Sequence, residues 1–346
     1  MKILYAIQGT GNGHISRALE LIPSLQKIAE IDLLLSGTQS DIQLPWPVKY
    51  QFHGISLVFG NRGNVSISKT LMDLRLVQFL RDIIRLNLDE YDLVISDFEP
   101  VSAWTCLLKN KACLGISHQA AFRSKNVPLP RRKNLLATLI LRYYAYTSDY
   151  IGFHFKSYDA TILAPIIRRK IREATRSDQG HITVYLPAFA DKVLIEQFAQ
   201  LPDLQWQVFS KHATEMHQDR NVLIHPIDGE EFSKSLIACH GLISGGGFET
   251  PAEAMYLGKK IMLIPMSNQY EQIANAVAAR QMGCMVVREI NTRFSYHLMN
   301  WLEYWKPVDH LWEDPVESLL KKIQAYPYHK QCKSKLSGFQ VPKAID

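Results

Sequence analysis

Three consecutive glycines, Gly245, Gly246 and Gly247, stand between a short apolar run, Gly241-Leu242-Ile243-Ser244, and a helix start. The apolar run reads as the end of a buried strand. Successive glycines cost backbone entropy, so they mark a tight turn or a place where something approaches the backbone closely. The residues that follow are Phe248-Glu249-Thr250-Pro251-Ala252-Glu253. Thr250 can cap a helix, Pro251 suits a first turn, and Glu253 falls where a capping box needs it. Lys260 to Ile264 is a second buried strand, and a polar turn after Pro265 leads into a helix carrying Gln269, Glu271, Gln272 and Asn275. A strand joined to a helix through glycine suits an anion, because bare backbone and the unpaired N–H groups of the helix start face it. Each piece also has a plainer reading: the glycines as a turn, Glu253 as a cap, and Gln269 to Gln272 as a solvated helix start.

The first half of the chain alternates strands and helices. Lys2 to Gln8 is a strand, Gly9 to Gly13 a loop, and His14 to Ile28 a helix in which Pro23 predicts a kink or an early break. Ile31 to Leu35 and Val48 to Phe52 are strands, followed by a polar loop from His53 to Ser66 and a helix from Thr70 to Asn87. Tyr91 to Ser96 is a strand ending at Asp97. Val101 to Lys109 is a helix, Ala112 to Ser117 a strand ending at His118, and Tyr150 to Phe155 the last strand of this unit. Such alternation implies a parallel sheet with helices on both faces, whose ligands lie at the carboxyl ends of the strands. The residues to read there are Gly11, Asn12, Gly13 and His14, then Asp97 and Glu99, then His118 and Gln119. Gly9 to Gly13 is not a dinucleotide fingerprint, since His14 stands where the third glycine belongs and the second strand closes on Ser36-Gly37-Thr38 rather than an acid.

The second half repeats this architecture with strands at 181–186, 205–210 and 222–227. At 346 residues the chain exceeds the usual size of one core, so two domains are expected, at 1–160 and 166–312. Residues 313–346 add a helix, Pro315 to Ala325, and a loosely held tail. With 47% hydrophobic and 21% charged residues the composition is that of a soluble globular protein, and no apolar run approaches the roughly 20 residues needed to cross a bilayer. The five cysteines are scattered without metal-ligand spacing, which suits free thiols in a reducing cytoplasm. A net charge of +6 fits an anionic substrate or a membrane surface and does not by itself argue for nucleic acid. Pro130-Arg131-Arg132-Lys133, ahead of Leu135, Leu136, Leu139 and Ile140, reads either as a solvated start to a core helix or as a basic flank beside a membrane-lying one.

The stretch from Leu242 to Gly283 resembles the nucleotide-sugar half of GT-B glycosyltransferases, nearest the peptidoglycan-precursor N-acetylglucosaminyltransferase family and related family 28 and family 1-like transferases. The resemblance implies an α/β chain of GT-B fold: two Rossmann-like, doubly wound domains facing a central cleft, with acceptor domain first, donor domain second, and a C-terminal helix crossing back to the first. It implies that Ser244, Gly245, Gly246 and Gly247 face the donor diphosphate, with Phe248, Glu249 and Thr250 beside them. Glu253 would hold the ribose, and Gln269, Glu271 and Gln272 the sugar. The loop Gly11-Asn12-Gly13-His14 resembles the family's N-terminal loop near the diphosphate and the acceptor. Asp228 falls where the family holds the nucleotide base.

Sugar transfer needs a base for the acceptor hydroxyl and positive potential for the leaving diphosphate. His14 is one candidate base, since histidine as a residue type changes charge near neutral pH. Asp97 and Glu99 are the rivals, with helix capping ahead of Pro100 as their alternative role. His118 and Gln119 are expected at the acceptor, and Lys211 and His212 are positioned to meet phosphate. No Asp-x-Asp pair follows a strand at a suitable place, so the expected mechanism is metal-independent and inverting, with a UDP-sugar as co-substrate and no further cofactor. A UDP-sugar epimerase or hydrolase of the same fold, and a catalytically silent donor-binding or membrane-docking subunit, are the competing functions. Expected partners are the donor and a glycan, lipid or small-molecule acceptor, with possible membrane contact through 130–146 and no nucleic acid. The expected location is the cytoplasm, at or near the inner face of a bacterial cell membrane.

Overall fold

A computed structural model describes residues 1–37, 44–54, 76–131 and 134–327. The first sheet has β1 (Lys2–Gln8), β2 (Glu30–Ser36), β3 (Val48–Phe52), β4 (Leu93–Asp97), β5 (Cys113–Ser117), β6 (Asp149–Phe153) and β7 (Ile162–Leu163). They lie in the order β3-β2-β1-β4-β5-β6-β7, all parallel. Central strands such as β4 are buried along their whole length, which is why they read as unbroken apolar runs. The winding reverses at β1, between β2 and β4, and a crevice opens at the carboxyl ends of such neighbours. Ile7 pairs with Asp97, so the Gly9–Gly13 loop and Asp97 leave the sheet side by side.

The second sheet has β8 (Ile182–Tyr185), β9 (Trp206–Ser210), β10 (His217–Asp219), β11 (Val222–Pro226), β12 (Gly241–Ser244), β13 (Lys260–Leu263) and β14 (Met285–Val286). Its order is β10-β11-β9-β8-β12-β13-β14, parallel except for the β10–β11 pair. Here the reversal lies at β8, where Tyr185 pairs with Ser244. Both reversal points open onto the same cleft. The fold is α/β of the GT-B kind.

One buried cluster runs from Ile3, Ile7 and Ile15 through Ile167 and Ile171 to Leu242, Phe248 and Ile261, so the two units share core contacts. The Val316–Gln324 helix returns to the first unit, with Leu319 and Ile323 in the same cluster as Ala18, Leu21 and Ile22. Trp312 Nε1 donates to the Phe155 carbonyl at 3.2 Å, and the Tyr326 hydroxyl to Asp149 at 2.9 Å.

Several local expectations are corrected. Phe155 does not end the first sheet; β7 adds an edge strand just past residue 160. The Asn12–Leu25 helix runs through Pro23 and ends two residues later. The helix after the triple glycine spans Glu249–Tyr256 with Phe248 at its cap and no side-chain cap. Thr250 therefore lies inside the first turn, and Pro251 takes a position whose N–H lacks an intrahelical partner in any case. The expectations for residues 55–66, for the start of the helix beginning at Thr70, for Arg132 and Lys133 and for the tail past 327 lie outside the described residues. The described part of that helix is Leu76–Arg85.

Candidate active site

Asp97 ends β4 and is fully buried. The chain turns at once, with Phe98 at φ 56°, a left-handed backbone that bulky residues rarely adopt. Asp97 meets the first turn of the Asn12–Leu25 helix, whose entry is made by Gly11 at φ 92°. His14 Nδ1 lies 2.7 Å from Asp97 Oδ1. A carboxylate accepts, so Nδ1 carries a proton. One turn along the same helix face, Arg17 grips Asp97 with two prongs: Nε to Oδ2 at 2.8 Å and Nη2 to Oδ1 at 2.6 Å. The Tyr5 hydroxyl adds a longer bond to Oδ2 at 3.3 Å. Burial opposes a charge on Asp97, yet Arg17 and His14 hold the carboxyl below the usual carboxylate range. Burial likewise opposes the Arg17 charge, and Asp97 and Glu249 hold it on.

Glu99, a rival base, is corrected to a structural role. It is fully buried, and its two carboxylate oxygens accept from the amides of Val101 and Ser102, capping the Pro100–Leu108 helix. Two otherwise unpaired amides at a helix start are a stronger claim on a buried carboxylate than an open cleft.

The second unit closes over this group. Arg17 Nη1 donates to Glu249 Oε1 at 2.7 Å, and the Glu249 carboxylate lies against Gly13, where an added Cβ would sit 2.9 Å from Oε2. The His118 ring stacks on Phe248 with centroids 3.8 Å apart, and its nitrogens face the Phe153 carbonyl at 2.9 Å and Asn275 Oδ1 at 2.7 Å. Burial pushes His118 down to about 4. Buried and engaged on both nitrogens, His118 is a contact between the units. Gln119 Nε2 donates to Glu271 Oε1 at 3.0 Å, and burial pushes Glu271 up to about 7. Gln272 Oε1 accepts from the Met266 amide at 3.1 Å.

Between the units lies a cavity of about 430 Å³. Gly11, Asn12, Gly13 and Arg17 line one side; Gly247, Phe248, Glu249, Thr250 and Glu253 line the other. Tyr185, Phe209, Ile227 and Phe232 form an apolar wall, Asp228 and Gly229 its edge, and Arg168 and Lys211 supply cations. Ser244, Gly245 and Gly246 lie outside that lining: Gly246, at φ +87°, is braced by Asn275 Nδ2 donating to its carbonyl. Glu253 is nearly buried, and Arg168 Nε and Nη2 take its two oxygens at 2.5 and 2.6 Å. This pair, not a capping box, is what Glu253 makes at the cavity wall.

Arg17 and Arg168 escaped the reading of the sequence. Arg17 had a signal, since it falls three residues after His14 and so shares its helix face. Arg168 had none, because it stands between the domains and meets Glu253 only through the fold.

The sequence model of a family described as glycosyl transferase family 1 matches residues 1–301. A search of curated proteins found no match. Among solved structures, the fold is similar to MurG of Acinetobacter baumannii at 15% identity, over 94% of this chain and 99% of that one, with a TM-score of 0.57. It is also similar to the glycotransferase of kitacinnamycin, at 14% identity over 96% of each chain and a TM-score of 0.58. A third is the spinosyn rhamnosyltransferase SpnG, solved with spinosyn aglycone: 14% identity, 94% and 97% coverage, TM-score 0.53. At such identities the likeness is one of fold.

Proposed function

This chain belongs to glycosyl transferase family 1, and on that premise we propose that it moves a hexose or N-acetylhexosamine from a UDP-sugar to an acceptor hydroxyl, inverting the anomeric centre without a resident metal. The observation that carries this reading is the His14–Asp97 pair, on the helix that lines the cavity through Gly13 and Arg17, opposite Gly247 and the Glu249–Tyr256 helix start.

His14 Nε2 takes the proton of the acceptor hydroxyl as that oxygen bonds to the anomeric carbon. Asp97 fixes the imidazole and steadies the imidazolium that forms. The bond from the anomeric carbon to the diphosphate oxygen breaks on the opposite face, and its electron pair leaves with the nucleotide. Backbone N–H groups of the Glu249–Tyr256 helix start and the Lys211 ammonium meet the charge that develops there. The base lies against the apolar wall by Ile227 and Asp228, the ribose near Glu253, and the sugar towards Glu271 and Gln272. Gln119, bonded to Glu271, borders both sugar and acceptor.

The test is thermal stability with UDP, GDP, TDP, ADP and NAD, then turnover of the sugar donor that fits. A shift with UDP that Glu253→Ala abolishes and His14→Ala keeps supports the donor site. No shift with any nucleoside diphosphate in a folded sample overturns it. Donor consumed with no acceptor product would favour an epimerase or hydrolase.

A membrane-bound acceptor is favoured by one further observation. The Leu135–Tyr143 helix buries none of its residues, and Leu135 is 75% exposed beside exposed Leu136 and Leu139. Among the described residues no helix is long and apolar enough to cross a membrane. A basic flank beside an exposed apolar stripe suits peripheral contact with anionic lipid at the inner face of a bacterial membrane. Co-sedimentation with phosphatidylglycerol vesicles, lost on Leu135→Asp with Leu139→Asp, checks this.

A further inference from the structure

Asp97 has more partners than a hydrogen bond to one imidazole requires. It is fully buried and gathers the His14 Nδ1–H, two Arg17 donors and the Tyr5 hydroxyl. Arg17 then passes its remaining prong to Glu249, across the cleft. A chain of four ionisable groups, His14–Asp97–Arg17–Glu249, thus runs from the first sheet into the helix that follows the glycine loop.

A buried carboxylate with only an imidazole for company draws a second proton onto the ring, because an ion pair is the cheaper arrangement in a low dielectric. A base already protonated cannot accept from an alcohol. Arg17 removes that pull by neutralising Asp97 first. It also places Nη2 within 2.9 Å of His14 Nδ1, where its positive charge opposes an imidazolium. Glu249 works the other way, drawing on the Arg17 charge from the far side. It belongs to the second unit, so its influence is present when the cleft is closed.

We propose that Arg17 is a positioning residue that keeps His14 neutral, and that Glu249 restores the basicity of His14 when the donor domain closes. The proposal rests on the reading of His14 as the base. The groups facing His14 are Asp97 from β4, Arg17 from its own helix and Glu271 from the Tyr270–Gln281 helix, and Glu249 from the Glu249–Tyr256 helix reaches it through Arg17. Glu271 is unaltered by either substitution, so the two effects are separable. They have opposite signs, which a merely structural role does not produce.

The test is an NMR titration of histidine-labelled full-length protein, with the His14 signal identified by its loss in His14→Gln. In Arg17→Gln the His14 midpoint rises by about one pH unit or more, the scale of a lost adjacent charge. In Glu249→Gln it falls, by about half a unit. Arg17→Lys keeps the charge and stays near the wild-type value. A midpoint in Arg17→Gln within about 0.3 unit of wild type, or a shift of the same sign in Glu249→Gln, overturns the proposal. Should Arg17→Gln not fold, Glu249→Gln decides by its sign, since that side chain is about a third exposed at 32%. The titration needs no substrate, while loss of transfer in His14→Gln is read separately, so failure of the base and failure of its positioning are distinct results.

Discussion

The two walls of the cavity are built on opposite plans. On the N-terminal side Asp97 and Arg17 are nearly or fully buried and bonded to each other, to His14 and across the cleft. On the C-terminal side a Cβ on Gly247 would meet nothing within 4 Å. Proton transfer needs its geometry before the substrate arrives, so that side is finished in advance. Phosphate and sugar bring their own acceptors, so the other side leaves bare backbone for them.

The sharpest way to break this contrast is His14→Ala. It is expected to lower transfer by about 100- to 10,000-fold while leaving the nucleotide-induced thermal shift intact, measured as turnover beside a melting curve. If the shift vanishes too, the two walls are not separable. Glu253→Ala should do the reverse, removing a UDP-induced stabilisation worth about 2.7 kcal/mol at a hundredfold excess over Kd.

Glu271 carries the next effect. Its folded pKa, raised to about 7 by burial, exceeds the ordinary 4.5 of an unfolded glutamate. The native state therefore binds the extra proton: stability is fully present below the unfolded value and is lost as pH rises through about 7. Glu271→Gln should flatten that decline, by roughly 1–3 kcal/mol between acid and alkaline pH in denaturant titrations. A decline that persists in the variant would locate the titration elsewhere.

Neighbouring glycines give a finer test. Gly246→Ala forces a side chain into left-handed backbone, with the Gln272 carbonyl 3.1 Å from its Cβ, and should cost about 1–2 kcal/mol of stability. Gly247→Ala should change stability by less than about 0.5 kcal/mol and weaken donor binding instead, because its methyl enters the cavity. Glu99→Gln should cost about 1 kcal/mol as a weakened cap and leave the pH dependence of transfer unchanged.

Much of this was legible in the chain. Strand ends announce themselves by where apolar runs stop, and that placed His14, Asp97 and the glycine loop at one cleft. Long-range partnership is not written so locally. Glu253 satisfied a capping pattern with Thr250, yet the helix began two residues earlier than that pattern needs and Arg168, 85 positions away, took the carboxylate. Glu99 and Asp97 looked equivalent two residues apart. Their fates diverged because one faces the two amides of a helix start and the other faces Arg17.

The return of the last helix has a mechanical consequence. The chain passes from the first unit to the second near residues 164–181, and passes back near Trp312, where Arg172 and Asp314 pair beside the outgoing segment. A body tethered at one point can swivel about any axis. A body tethered at two neighbouring points swings about the line through them, as a door does on its hinges. Ile166 and Arg168 of the outgoing segment themselves line the cavity, so the hinge forms part of its wall.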